Sequence, residues 1–141
     1  MGTRDSVSNL GNYLTVESFH IDDSTITYDA AVVGGSAAVG KAVTLSGNDI
    51  IALTADGDGV LGRLLHVESD GVAAVATGGT MELPAGASAT TTRMTAIVGA
   101  VGAASAKGYI RSVNTAVAAE LGKCRGHIRN AAEATAVVVS L

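Results

Sequence analysis

The chain has 141 residues, enough for one domain of ordinary size, and its apolar residues are mainly Ala and Val, with one Phe and no Trp. The net charge of −4 arises within residues 1–29, because the basic and acidic side chains of residues 30–141 balance each other. This distribution lacks a basic cluster and argues against a nucleic-acid partner, and no apolar run is long enough to predict a membrane span. Cys124 is the single cysteine, so an intrachain disulfide is excluded, as is usual for a protein made in a reducing cytoplasm.

Residues 1–29 form the first predicted unit, an extended N-terminal arm ahead of a β-rich domain at residues 30–141. Single apolar residues alternate with polar ones early in this arm, a pattern that makes no core alone but can add a strand to a partner's sheet edge. The arm also carries aromatic residues, which dominate the energetics of many interfaces. We predict that the residues contacting a partner or a neighbouring copy are Leu10, Tyr13, Leu14, Val16 and Phe19.

Turn-forming residues punctuate the chain after the arm at short intervals. They are the Gly-Gly pairs at 34–35 and 78–79, SGND at 46–49, DGDG at 56–59, SDG at 69–71 and PAG at 84–86. Between them lie runs rich in Val, Ile, Leu and Thr, which predict strands at residues 26–33, 42–45, 50–54, 60–67, 72–77 and 80–83. Short strands at this spacing predict an all-β fold, either a small barrel or a sandwich.

The second half of the chain contains fewer turn signals. Residues 87–95, rich in Ser, Thr and Ala, predict a loop, and residues 94–101 and 108–112 predict strands. Residues 114–121 predict the one short helix, because Asn114 or Thr115 can cap its start and Gly122 can end it. Two closing strands are predicted at residues 123–129 and 134–141.

The sequence GSAAVGKA at residues 35–42 has the outline of a phosphate-binding loop. Gly35, Gly40 and Lys41 fit the pattern G-x-x-x-x-G-K-[ST], but Ala42 stands where the pattern requires a hydroxyl for Mg²⁺. The residues that follow predict strand, turn and strand, and not the helix whose N-terminus would face the phosphate. We therefore expect a glycine-rich connection between strands here, with no nucleotide cofactor.

Other residues capable of chemistry do not form a recognisable catalytic or metal-binding pattern. The DGDG at residues 56–59 lacks the third oxygen ligand and distal Glu of a calcium loop, and predicts a turn. His20, His66 and His127 lie far apart, and His66 is expected on the exposed face of a strand. Cys124 lies three residues before His127, a spacing that would place the two on opposite faces of a strand. The sequence thus predicts no catalytic residue, no metal, no cofactor and no enzymatic activity.

Residues 41–86, KAVTLSGNDIIALTADGDGVLGRLLHVESDGVAAVATGGTMELPAG, carry a recognisable succession of elements. A V-x-L strand leads to an ADGD turn, a GxLLxVE strand and a DGVAxV hairpin, and a Gly-Gly exit leads into LPAG. This succession resembles the capsid cement, or head decoration, proteins of tailed bacteriophages. The closing GKCRGHIRNAAEATAVVVSL is similar to the end of that family, so the resemblance covers about residues 30–141.

The resemblance implies a compact β-tulip domain that lies on the outer surface of a capsid and bridges neighbouring major capsid proteins. The partners it implies are the major capsid protein and further copies of this chain, with a homotrimer favoured and a dimer possible. Its implied location is the virion, after synthesis in the host cytoplasm. This chain departs from the family in its longer leader, residues 1–29, and the leader is where we place the docking arm.

Two other functions remain open from the sequence. The first is a small β-barrel that recognises a receptor or a carbohydrate on a virion or cell surface. A sugar site usually needs an aromatic platform, which only Tyr13, Phe19, Tyr28 and Tyr109 can supply. The second is a nucleotide-dependent enzyme that uses the loop at residues 35–41.

Overall fold

The structure, a computed structural model, describes residues 14–130 and 136–141. Strands hold 42% of these residues and helix 6%, which confirms the predicted all-β class. The elements are β1 (Thr15–Ile21), β2 (Ala42–Gly47), β3 (Ile50–Leu53), β4 (Gly62–Val67), β5 (Val72–Gly78), β6 (Thr80–Pro84), β7 (Ile97–Ala100), a 3-10 turn (Ala103–Ser105), β8 (Tyr109–Ser112), α1 (Ala118–Leu121), β9 (His127–Ile128) and β10 (Ala136–Ser140).

Strands β1 to β5 form a closed barrel in the spatial order β1-β3-β2-β4-β5, so the barrel is the correct one of the two predicted architectures. Its neighbouring strands are antiparallel except β1 and β3, which run parallel where His20 and Ile21 pair with Ile50 and Ile51. The barrel encloses an apolar core made of Ile26, Ala38, Val43, Ile51, Leu64, Val67, Ala73 and Val75.

The second half of the chain builds a smaller unit beside the barrel. It consists of a three-stranded sheet in the order β6-β10-β9 and a two-stranded sheet of β7 and β8. Two bridges, Ala85 with Ile110 and Ile97 with Arg125, connect these sheets. They surround a second core made of Ala42, Val60, Ala76, Met81, Leu83, Ile97, Ile110, Ile128, Val137 and Val139. Because Ala42 and Ala76 belong to barrel strands, the second core lies directly against the barrel.

Small residues let the strands of this aromatic-poor chain approach one another closely. A Cβ added at Gly62 on β4 would lie 1.9 Å from the carbonyl oxygen of Ala76 on β5, so only glycine fits. Apolar side chains alternate along β6, where Met81 and Leu83 are buried and Glu82 between them is exposed. Close backbone approach and Val/Ile/Leu burial together replace the bulky aromatic core of a typical domain.

Several predicted elements are shorter than expected or absent. The run at residues 26–33 is not a strand, because Asp22 and Asp29 accept backbone hydrogen bonds two residues on and fold it into turns, with Ile26 buried in the core. The predicted helix at 114–121 keeps only its last turn, Ala118–Leu121, and the strand at 123–129 only His127–Ile128. Part of the closing strand predicted at 134–141 lies outside the described residues, and the rest forms β10.

The segment predicted as an arm is divided by the structure. Residues 1–13 lie outside the described part of the chain. Residues 15–21 form β1, which pairs antiparallel with β5 from Thr15 to His20 and completes the barrel. The barrel therefore includes residues that the sequence assigns to the arm. These residues pair with β5 of the same chain, whereas the sequence predicted that they would pair with a strand of a partner.

Candidate functional site

Strand β1 is a poorly covered strand of the barrel. Its residues from Thr15 to Ser18 are all exposed, whereas most residues of β4 and β5 are buried or half-buried. Phe19 and Ile21 turn inward and pack against the barrel core. Because side chains alternate along a strand, Val16, Ser18 and His20 face outward. The first half of β1 thus combines a fixed backbone with an uncovered surface.

The backbone edge of β1 is open over the same residues. His20 donates its N–H to the carbonyl of Asp49 at 2.8 Å, on the side of β1 opposite β5. Since backbone groups alternate in direction, Val16 and Ser18 present N–H and C=O on that same side. Within residues 14–130 and 136–141, β3 pairs with β1 only at His20 and Ile21. We define the β1 edge as this unpaired side of residues 15–19 together with the exposed side chains of Leu14 and Val16.

The predicted contact residues fall into three groups. Leu10 and Tyr13 lie outside the described residues. Leu14 and Val16 are large apolar side chains that are exposed by 41% and 52%, and both belong to the β1 edge. Phe19 instead packs against the core of the barrel, where its ring is half-buried. The structure therefore brings Leu14 and Val16 together on one surface and turns Phe19 away from it.

The tip of the β2–β3 hairpin, whose turn the sequence predicts, carries two exposed apolar residues that were not predicted as contacts. Leu45 and Ile50 at the tip are exposed by 51% and 37%. Ile50 lies opposite His20 in the parallel β1–β3 register, so the tip adjoins the far end of β1. The sequence does show two apolar residues that flank the SGND turn. It does not show that this turn lies beside β1, because that contact joins strands distant in the sequence.

The glycine-rich loop at residues 35–42 leads directly into β2, as predicted, and not into a helix. Gly35 has a φ of 85° and is buried against the end of β4, where an added Cβ would lie 1.9 Å from the carbonyl oxygen of Val67. The N–H of Val67 in turn donates to the carbonyl of Gly34 at 2.8 Å. The glycines therefore serve the packing of this turn on β4.

The aspartates of the DGDG turn are engaged in structural contacts. Asp58 accepts the backbone N–H of Ala55 at 2.8 Å, and Asp56 accepts the Arg111 Nε–H at 2.9 Å. Among the described residues, no group of three or more His, Cys, Asp or Glu side chains lies close enough to hold a metal ion. The turn predicted at residues 56–59 thus anchors Arg111 of β8.

The half-buried Arg111 and the buried Glu120 form an ion pair beside this turn. The guanidinium donates to Glu120 Oε2 at 3.0 Å and Oε1 at 2.5 Å, and the backbone N–H of Asn114 donates to Oε2 at 2.8 Å. Glu120 is 7% exposed. The hydrogen bonds from Arg111, followed by the one from Asn114, lower the pKa of Glu120 to about 2, and Glu120 and Asp56 raise the pKa of Arg111. The pair ties α1 and β8 to the Asp56 turn.

The aromatic rings of the described residues lie on separate elements. Phe19 packs against the barrel core, and the Nζ of Lys41 lies 5.6 Å from the ring centroid of Tyr109. Tyr28, in the irregular segment just before Asp29, is 38% exposed. Because these rings lie on separate elements, the described residues do not form the aromatic platform that a carbohydrate site usually needs.

The chain was compared with protein-family models, with curated proteins and with solved structures. None of the three comparisons finds a match.

The described residues contain no helix that is both long and apolar enough to cross a membrane. Their longest helix, α1, has four residues.

Proposed function

We propose that this chain is a structural virion protein that binds the outer surface of a phage capsid and bridges neighbouring major capsid proteins. The observation that carries the proposal is the β1 edge, where a strand held in a barrel exposes apolar side chains and unpaired backbone. The cement-protein motifs of residues 41–86 and the all-β fold support the same proposal. The chain acts by binding. Because it binds the assembled shell and not the separated capsid subunits, it stabilises the shell by mass action.

The β1 edge suits a partner that supplies an extended segment. A strand laid along residues 15–19 gains main-chain hydrogen bonds from Val16 and Ser18, and Leu14 and Val16 offer apolar contacts beside it. Residues 1–13 precede this edge directly in the chain, so contacts of Leu10 and Tyr13 would be continuous with it. The docking surface would then comprise the arm and the first strand of the barrel.

Self-association as a homotrimer belongs to the same proposal, with a dimer as the second arrangement. Small side chains allow close contact between subunits, and identical chains usually assemble with closed symmetry. Trimers at local threefold positions would let each copy bridge capsid subunits, and many modest contacts per shell add up through multivalency.

Replacing Val16 by Asp is expected to weaken capsid binding about tenfold or more, because a charge would be placed at an apolar contact. The matched control is Val33→Asp, at a turn residue outside β1 that is 95% exposed. Both proteins are titrated onto shells assembled without this chain, and the bound fraction is measured by co-sedimentation. Equal binding of the two variants would exclude Val16 from the contact.

Replacing Ser18 by Pro tests the backbone edge separately from the side chains. Proline removes the N–H that points away from β5, and an edge strand tolerates proline where that N–H faces solvent. We expect a folded protein by circular dichroism with sharply reduced shell binding, and normal binding for the Ser18→Ala control. A folded Ser18→Pro protein that binds like the control shows that no strand is added at this edge.

A further inference from the structure

A cleft of about 260 Å³ lies where the barrel meets the smaller unit. One side comes from the glycine-rich loop and β4, and the other from β6 and β8. Its lining residues are Val39, Gly40, Lys41, Arg63, Glu82, Leu83, Pro84 and Tyr109. The cleft is below the usual volume of a site for a drug-sized molecule, roughly 300–1,000 Å³, and matches a side chain or a small acid.

Arg63 carries a hydrogen-bond donor that the described residues leave without an acceptor. Its Nε is buried and has no hydrogen-bond partner among them. The other half-buried arginines differ: Arg125 donates to the carbonyls of Leu61 and Thr77, and Arg111 binds two carboxylates. A buried N–H of a charged group is costly without an acceptor. Within the described residues, the Arg63 Nε–H therefore lacks an acceptor, on a side chain that is itself half-buried.

Lys41 adds a second positive charge to the same cleft. Its Nζ lies 5.6 Å from the ring centroid of Tyr109, which orients the ammonium group over the aromatic face. Among the described residues, the carboxylates of Asp56 and Glu120 contact Arg111 and that of Glu68 contacts His66, so neither Lys41 nor Arg63 has a carboxylate partner within them. Glu82 is the one carboxylate of the lining, and the lining therefore carries a net charge of +1.

We propose that this cleft binds a carboxylate group. A guanidinium holds a carboxylate through two parallel hydrogen bonds, and a side-on contact would supply the acceptor that Arg63 Nε lacks among the described residues once the side chain turns Nε towards the cleft. The net charge of the lining matches one negative charge better than the two of a phosphate. Pro84 and the Tyr109 ring, both half-buried, give apolar contact to the aliphatic stem of an acid. In this proposal Lys41 attracts the carboxylate through its positive charge, and it has no role in nucleotide binding.

The carboxylate can come from an acidic side chain of a partner protein or from a free small acid, and the two share this chemistry. A suitable probe is N-acetylglutamate N-methylamide, which presents a glutamate side chain without backbone charges. Its matched control is the glutamine analogue, which has the same shape and no charge. Both are titrated into the ¹⁵N-labelled full chain and followed by nuclear magnetic resonance.

We expect the glutamate probe to shift the Arg63 Nε–H signal and the amide signals of Gly40, Lys41 and Glu82, and the glutamine analogue to shift none of them. Removing one charged hydrogen bond by Arg63→Gln should weaken binding about tenfold. Lys41→Gln should weaken it less, and Lys123→Gln, at an exposed lysine outside the cleft, should not change it. Equal binding of the two analogues, or unchanged affinity in both cleft variants, overturns the proposal.

Co-sedimentation with the capsid shells described under the proposed function distinguishes a partner protein from a free acid as the source of the carboxylate. If Arg63→Gln also lowers shell binding while Lys123→Gln does not, the carboxylate belongs to a partner protein. If shell binding is unchanged and the glutamate probe still binds the wild-type cleft, the ligand is a free acid. The probe titration does not depend on the proposed function, so failure of capsid binding leaves its result interpretable.

Discussion

Replacing Gly35 by Ala is expected to lower the free energy of unfolding by roughly 3 kcal/mol or more. The added Cβ would lie 1.9 Å from the carbonyl oxygen of Val67, and the φ of 85° is itself unfavourable for alanine. Backbone cannot move aside as a flexible side chain can, so the turn must detach from β4 or the strand must shift. Urea unfolding followed by circular dichroism measures the change.

Gly122→Ala is the matched control for this substitution. Gly122 ends α1 with a φ of −76°, and the nearest atom to an added Cβ is the Ala119 carbonyl oxygen at 3.9 Å. We expect a change within about 0.5 kcal/mol of the wild-type value. A Gly35→Ala protein as stable as the Gly122→Ala protein would contradict the described contact between the glycine-rich turn and β4.

Replacing Glu120 by Gln is expected to destabilise the protein at neutral pH and to have little effect in strong acid. The pKa of Glu120 is lowered from 4.5 to about 2 in the folded protein, chiefly by its hydrogen bonds with Arg111. A lowered pKa means that the contribution is complete above the unfolded value of 4.5 and is lost as the pH falls towards 2. Because solvent screens the pair, we expect the substitution to lower the free energy of unfolding at neutral pH by about 1 kcal/mol or more, which is less than the full shift in pKa would correspond to.

The measurement is urea unfolding of wild type and Glu120→Gln at several pH values between about 7 and 2. The difference in unfolding free energy should be largest above about pH 5 and should close towards pH 2. Glu17→Gln is the control, since Glu17 is exposed on β1 and forms no ion pair among the described residues. A difference that stays constant with pH would show that the Arg111–Glu120 pair does not stabilise the folded chain.

Local patterns predicted the strands whose partners are close in sequence. Turn residues separate β2 from β3 and β4 from β5, and each pair is antiparallel across the predicted turn. The same reasoning failed at residues 26–33, because Asp22 and Asp29 compete for the backbone through their own side chains. The turns stabilised by these two aspartates form in place of the strand that the β-prone composition predicts. Ile26 is buried in the core although it does not belong to a strand.

Pairings distant in sequence could not be predicted from a pattern. Strand β1 pairs with β5, which lies more than 50 residues further on, and its alternation of polar and apolar residues is equally compatible with a partner's sheet. Leu14 and Val16, which the sequence predicts as contact residues, are exposed, whereas Phe19, predicted with them, packs against the barrel core. The cleft charges and the Arg111–Glu120 pair likewise depend on contacts between separate elements, which composition and spacing do not encode.

Electron cryomicroscopy of shells assembled without this chain, before and after the purified chain is added, tests capsid binding most directly. The proposed function predicts added density on the outer surface at local threefold positions, as clusters of three copies that bridge neighbouring capsid subunits with β1 towards the shell. Shells that gain no density, or that carry isolated single copies each touching one capsid subunit, would contradict it.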